Sequence, residues 1–400
     1  MTEKWENNEE IKIFREYLRI PSVHPNPDYV PCVDFLRRQA SSLGMDFKVF
    51  YPVNEKNPIV ILSLKGSDPS LPAILLNSHM DVVPVFPEKW SHPPFSAHLD
   101  SDGKIFARGS QDMKCVGTQF LGALRALKRD GIVLKRTIHA SFVPDEEVGL
   151  LGMASFVQTA DFRTLNVGFA LDEGIASPTE IFPVFYAERS CWCIHFKCSG
   201  TPGHGSLLHK NTAGEKLRKI LDKMMDFREK EAQRLENNPD LLMGDVTTIN
   251  LTTISGGVQS NIVPPMLKIG FDIRFAVDVN LKEFEQQLKN WIKEAGDGIE
   301  LEFEYRDVFT LPATKLDDSN IYWTAFKGAI DELKLNIHPQ VFPAQTDSRY
   351  LRQMGIPAIG FSPMNNTPVL LHDHDEFLQA DVYLRGIDIF KKIIDRVANC

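Results

Sequence analysis

The stretch AILLNSHMD, residues 73–81, places an apolar run directly ahead of a histidine and an aspartate two positions apart. The run predicts a buried strand, Ala73–Leu76, whose carboxyl end delivers His79 and Asp81. Similar apolar runs stand at Pro58–Leu64, Thr137–Val143 and Val167–Leu171. Between them, Val116, Phe120, Leu124 and Leu127 recur at helical spacing and end near Gly131. Ile11, Phe14, Tyr17 and Leu18 form a similar stripe that should stop at Pro21. Strands alternating with helices predict an α/β layer, a mostly parallel sheet flanked by helices. The pattern resumes after residue 312, with a strand at Ala358–Phe361 and a closing helix over 378–396.

The segment between these parts has a different character. Cys191–Cys198 alternates as a half-buried strand. Leu217, Ile220, Leu221, Met224 and Met225 make the apolar face of a long charged helix, and Val246–Ile254 reads as a strand. Leu267, Ile269, Phe271, Ile273 and Phe275 alternate with Met266, Lys268, Gly270, Asp272 and Arg274. A helix through Phe284, Leu288, Trp291 and Ile292 follows. A last strand has Leu301, Phe303 and Tyr305 on one side. The order β-α-β-β-α-β predicts a ferredoxin-like α+β domain inserted at 187–311. The α/β domain is then discontinuous, over 1–186 and 312–400.

A chain of 400 residues with 43% hydrophobic content suits two domains with sizeable cores. A formal net charge of −9 disfavours nucleic acid or an anionic membrane surface as a partner. The opening MTEKWENNEE lacks the basic and apolar regions of a signal peptide, and no run approaches the roughly 20 apolar residues that span a bilayer. The expected location is the cytoplasm. Six scattered cysteines are expected as thiols. Cys191, Cys193 and Cys198 invite a metal-site reading, but alternation opposes it: Cys198 falls on the strand face opposite the other two.

Acids and histidines gather just after the apolar runs or at a helix start. These segments are Asn77–Asp81, Arg108–Lys114, Pro144–Glu147, Asp172–Gly174 and His372–Glu376. Singly, each reads as an ordinary turn or a solvated acidic loop. Jointly they matter, because sites in open α/β sheets form at strand carboxyl ends. Imidazole and carboxylate donors suit zinc. More than three or four of them converging suggests two metals sharing a carboxylate.

Several stretches carry a resemblance: ILLNSHMDVVPVF at 74–86, ARGSQDMKCV at 107–116, FVPDEEVG at 142–149, FALDEG at 169–174, TPGHGS at 201–206, FDIRF at 271–275 and GFSPMNNTPVLLHDHDE at 360–376. Over nearly its whole length the chain resembles the co-catalytic zinc peptidases and acylases, a family that includes carboxypeptidase G, carnosinases and bacterial tripeptidases. Within it, the chain is most similar to the cytosolic aminoacylase branch. The resemblance implies two zinc ions per subunit, with His79 and Glu173 on one, Glu147 and His372 on the other, and Asp112 bridging both beside a cis peptide to Met113. It favours Glu173 over Asp172 as the ligand of that pair. Asp81 would fix the His79 imidazole. Glu146 would act as general base toward a water activated between the zincs. His204 would stabilise the oxyanion, and Arg274, Arg349 and Asn261 would hold the substrate.

The implied reaction is hydrolysis of a small-molecule N-acyl-L-amino acid to a carboxylate and a free amino acid. The inserted domain would serve as lid and as homodimer contact. After Glu146-Glu147-Val148-Gly149 the chain reads Leu150-Leu151-Gly152, slightly shorter than its relatives, which concerns a rim loop rather than a ligand. The metal motifs alone leave a dipeptidase or carboxypeptidase open, and from another class a catalytically dead binding protein of the same fold.

Overall fold

The computed structural model describes residues 3–308 and 311–400. Met1 and Thr2 of the polar opening stretch, and Phe309 and Thr310 just before the expected boundary at 311, lie outside the described residues. The chain divides into two compact units. One comprises Met1–Tyr186, Pro312–Gln340 and Thr346–Cys400, and the other Ala187–Leu311 with Val341–Gln345.

The first unit is built on an eight-stranded sheet. Ile138–Val143, Ala73–His79, Val167–Asp172 and Ala358–Gly360 lie side by side and parallel at its centre. Antiparallel strands extend it, with Ile59–Leu64 and Asp46–Phe50 on one flank and Phe182–Glu188 on the other, where Ile337–Phe342 forms the edge. Every residue of Ala73–His79 is buried, as a parallel strand covered on both faces requires. Side chains alternate between two cores. Ile74, Leu76, Ala140, Phe142, Phe169 and Leu171 join the larger one, which the helices Glu9–Leu18, Lys114–Arg129 and Ala380–Asn399 cover with Phe14, Phe120 and Phe390. Leu75, Val143, Ala170 and Ala358 face a smaller one with Met153, Phe156, Phe162 and Leu351.

The helix terminators act where expected. Glu9–Leu18 ends ahead of Pro21, and Lys114–Arg129 ends ahead of Gly131, whose φ of 69° is left-handed. No helix among the described residues is long and apolar enough to cross a membrane.

The second unit holds a four-stranded antiparallel sheet of Ser190–Ser199, Thr248–Gly256, Met266–Phe275 and Ile299–Arg306. In chain order the strands lie 2-3-1-4. The helices Ala213–Glu236 and Leu281–Ala295 complete the β-α-β-β-α-β order. Trp192, Ile194, Phe196, Ile269, Phe271 and Ile273 pack with Ile220, Met224, Phe284 and Leu288 into one core.

Three details depart from expectation. Met225 is exposed, because Ile220 and Met224 already fill the buried stripe of its helix. Tyr305 is also exposed: a register shift between Phe303 and Tyr305 breaks the alternation that would have buried it. Val341–Gln345 clusters with the second unit rather than with the flanking chain. The Pro343 carbonyl accepts from Arg189 Nε and Nη2 at 3.2 and 2.8 Å, and a side chain at Gly244 would meet the Val341 carbonyl oxygen at 2.5 Å.

Candidate metal centre

Three of the central parallel strands end at the same place. Ala73–His79 delivers His79 itself. Ile138–Val143 leads into Asp145, Glu146 and Glu147, and Val167–Asp172 leads into Glu173. The Arg108–Met113 loop ahead of the helix Lys114–Arg129 brings Asp112, whose bond to Met113 is cis. His372 comes from the long loop after Ala358–Gly360.

Asp112 sits between two imidazoles. Its Oδ1 is 3.0 Å from His79 Nε2, and its Oδ2 is 3.2 Å from His372 Nε2. Glu173 Oε2 lies 3.7 Å from His79 Nε2, and Glu147 Oε2 lies 3.0 Å from His372 Nε2. The result is two donor sets, His79–Asp112–Glu173 and Asp112–Glu147–His372, that share one carboxylate. Glu146 Oε2 stands 4.0 Å from His79 Nε2, so the adjacent acids Glu146 and Glu147 address different partners.

Asp172 and Glu173 have different surroundings. Asp172 accepts from Asn77 Nδ2 at 3.1 Å, from Ser348 Oγ at 2.8 Å and from the Glu173 N–H at 2.9 Å. Its oxygens are spent holding strands together, and Glu173 is left to face His79.

Asp81 works from behind. Its backbone carbonyl is 2.9 Å from His79 Nδ1, which sets that nitrogen as the N–H donor and turns Nε2 toward Asp112. Its buried carboxylate accepts the N–H groups of Glu146 at 3.2 Å and Glu147 at 3.1 Å, and is 2.9 Å from His24 Nε2. Burial opposes ionisation of Asp81, but hydrogen bonds from His24 and His79 outweigh it and hold its pKa down. The loop gains a second anchor at Asp145, which adopts a left-handed φ of 59° and accepts from Tyr29 Oη at 2.8 Å.

The electrostatics ask for cations. Burial, with Glu173 next in weight, pushes the Glu146 carboxyl well above the usual range. Burial and then Asp112 do the same to Glu173 and, less strongly, to Glu147. Hydrogen bonds to Asp112 and Glu147 raise His372 to about 10. Crowded acids beside a buried His79 and an exposed His372 are settled by divalent ions, and the N/O donor set fits zinc. His372 itself holds a left-handed φ of 63°, a strained conformation for a non-glycine residue that surrounding contacts must maintain.

One such contact was not legible beforehand. Glu376, whose segment reads in the sequence as a solvated acidic loop, is fully buried. It accepts from Arg108 Nη1 at 2.6 Å and from the N–H groups of Gly109, Gln111 and Asp112 at 3.2, 2.6 and 3.3 Å. It thereby ties the Asp112 loop to the His372 loop. The Glu376→Gln variant should bind metal about 10–100-fold more weakly, as read by competition with a chelator. It should also lose about 3–5 kcal/mol of stability, because Arg108 is left buried without its counter-charge. Unchanged metal affinity would reduce Glu376 to a scaffold role.

The remaining candidates lie elsewhere in the chain. Arg349, in the first unit, is buried on the short helix Ser348–Gln353, directly after the serine that holds Asp172. His204 and Asn261 belong to the second unit. A two-stranded ribbon pairs Gly203–His204 with Ile262–Val263, and the Gly205 N–H donates to the Asn261 carbonyl at 2.8 Å. His204 is exposed, its Nδ1 2.7 Å from Ser206 Oγ. Arg274 is bonded through Nε and Nη2 to Asp272 at 2.9 and 3.0 Å.

The model of peptidase family M20/M25/M40 matches residues 75–396. The chain belongs to this family. It is 51% identical over 391 residues to Aminoacylase-1 of Mus musculus, covering 97% of this chain and 95% of that one. Among solved structures it shares its fold with a tripeptidase from Staphylococcus aureus, at a TM-score of 0.75 and 18% identity over 97% of this chain and 98% of the other. A dinuclear metal binding peptidase of the M20 family from Bacillus subtilis superposes at a TM-score of 0.69 and 16% identity, over 96% of this chain and 97% of the other.

Proposed function

We propose that this M20-family chain is a two-zinc aminoacylase, hydrolysing N-acyl-L-amino acids to a carboxylate and a free L-amino acid. The observation that carries the reading is near-full-length identity of about one half to Aminoacylase-1 relatives, in a chain whose His79, Asp112, Glu146, Glu147, Glu173 and His372 converge. The paired donor sets also agree with the dinuclear description of the Bacillus subtilis relative.

Two zinc ions held there would polarise the amide carbonyl and lower the pKa of a water between them. The rest is work for the chain. Glu146 takes the proton of the attacking water and delivers it to the leaving nitrogen, so the amine departs neutral. Asp81, through the Glu146 and Glu147 N–H groups, keeps the base in place. His204 is assigned as donor to the carbonyl oxygen as it gains negative charge. Arg274 and Arg349 are assigned to the substrate carboxylate, for which a guanidinium fork is the matching donor, and Asn261 assists. A homodimer made through the second unit belongs to the same reading and is tested by sedimentation at low concentration.

The substrate class is tested by assaying N-acetyl-methionine against a panel of dipeptides. We expect kcat/KM for the N-acyl amino acid to exceed that for every dipeptide by at least tenfold, about 1.4 kcal/mol of transition-state discrimination. The reverse order would make the chain a dipeptidase using the same centre. No turnover of either class with full zinc loading would favour a dead scaffold.

A further inference from the structure

We propose that Cys191, Cys193 and Asp272 form a third cation site, in the second unit, selective for a thiophilic divalent ion. Cys191 and Cys193 lie on one face of the strand Ser190–Ser199, and Cys193 is the direct cross-strand neighbour of Asp272 on Met266–Phe275. This is the sheet face away from Trp192, Ile194 and Phe196, which pack into the core with the two helices. Asp272 Oδ2 is 4.0 Å from Cys191 Sγ and 3.8 Å from Cys193 Sγ, and the three donor atoms lie within 4.8 Å of one another. Bonds of about 2.3 Å to sulfur and 2.0 Å to oxygen around a tetrahedral ion give edges of about 3.5–3.8 Å. The three atoms therefore need only a small contraction to bind.

Chemistry and charge agree with the geometry. Both cysteines are free thiols. Strand neighbours two positions apart are separated by about 6.7 Å at Cα, at the far end of the disulfide range, with parallel rather than facing Cβ vectors. The pair is thus better placed to ligate one ion together than to oxidise to a bridge. Thiolate donors select zinc, cadmium and similar ions over calcium or magnesium. On binding, each thiol releases its proton to solvent. Two thiolates and one carboxylate carry three negative charges. A divalent ion offsets two of them, and Asp272 already accepts from Arg274 Nε and Nη2 at 2.9 and 3.0 Å. Ligating carboxylates are commonly held in this way by an outer donor. A water fills the fourth position, on the side where Cys193 is partly exposed. Cys198, on the opposite face, takes no part.

The test is a cadmium titration of the purified, metal-replete protein. The centre of the first unit has only nitrogen and oxygen donors, so a sulfur-to-cadmium charge-transfer band comes from cysteine elsewhere in the chain, and serine variants locate it. We expect a band that saturates at one equivalent per chain, is lost in Cys191→Ser and in Cys193→Ser, and persists in Cys400→Ser. In the parent protein, cadmium should also protect the partly exposed Cys193 from alkylation, as mapped by mass spectrometry. Absence of the band in the parent, its persistence in the double serine variant, or equal alkylation with and without cadmium would each overturn the site.

Discussion

Glu146→Gln should keep both metals and lose about 10²–10⁴-fold in kcat, the usual worth of a positioned general base. That corresponds to about 3–5 kcal/mol of transition-state stabilisation. The variant is informative because it changes so little else. Glutamine has the shape of glutamate, and the loop is held through the Glu146 N–H on Asp81, which the substitution leaves intact. Glu146 stands at 4.0 Å from His79, outside both donor sets, so neither set loses a member. KM should change little, since the lost interaction is made in the transition state. Metal analysis beside steady-state kinetics is the measurement. A rate within threefold of the parent with two metals bound would remove Glu146 from the mechanism.

The fold was legible where hydrophobic period and chain order agree. The clean alternation of Leu267 to Phe275 is an inner strand of the second unit's sheet, and the run 73–79 is a fully buried strand of the first. Strand ends concentrate acids and histidines, so His79, Glu147 and Glu173 stand out in the sequence as candidate donors shortly after apolar runs. What period cannot see is a local break in it. The bulge that exposes Tyr305 leaves no mark in composition, and Val341–Gln345 joins the second unit through carbonyl contacts that any residue type could make.

Nor does sequence separate a buried acid from a solvated one. In HDHDE at 372–376, His372 lies 3.2 Å from the Asp112 carboxylate, while Glu376 is sealed beneath the Arg108–Asp112 loop. Asp373 is exposed, and Asp375 caps Ser91 at the surface. Four neighbouring polar residues thus have three different fates, decided by contacts more than 200 positions away in the chain. His24 is a similar case. A lone histidine before a proline carries no signal until it is found 2.9 Å from Asp81.

Asp112→Asn should have an effect at least as large on turnover, but by a different route. The aspartate offers one oxygen to each side, Oδ1 toward His79 and Oδ2 toward His372. An amide has a single oxygen, and its NH₂ group cannot ligate a cation. One of the two donor sets therefore keeps only two protein ligands, and the shared negative charge that holds two dications close together is gone. Metal content should fall from two ions per chain to one or fewer, with activity down more than 10³-fold, about 4 kcal/mol. The fold should survive, because the Asp112 N–H still meets Glu376 and the loop around it keeps its Arg108 and Gln111 contacts. Comparison with Glu146→Gln makes the assignment sharp: one variant is slow with metals in place, the other slow because a metal is missing. If the asparagine variant retained two ions and a rate within tenfold of the parent, Asp112 could not be the shared ligand, and the two donor sets would have to be independent sites.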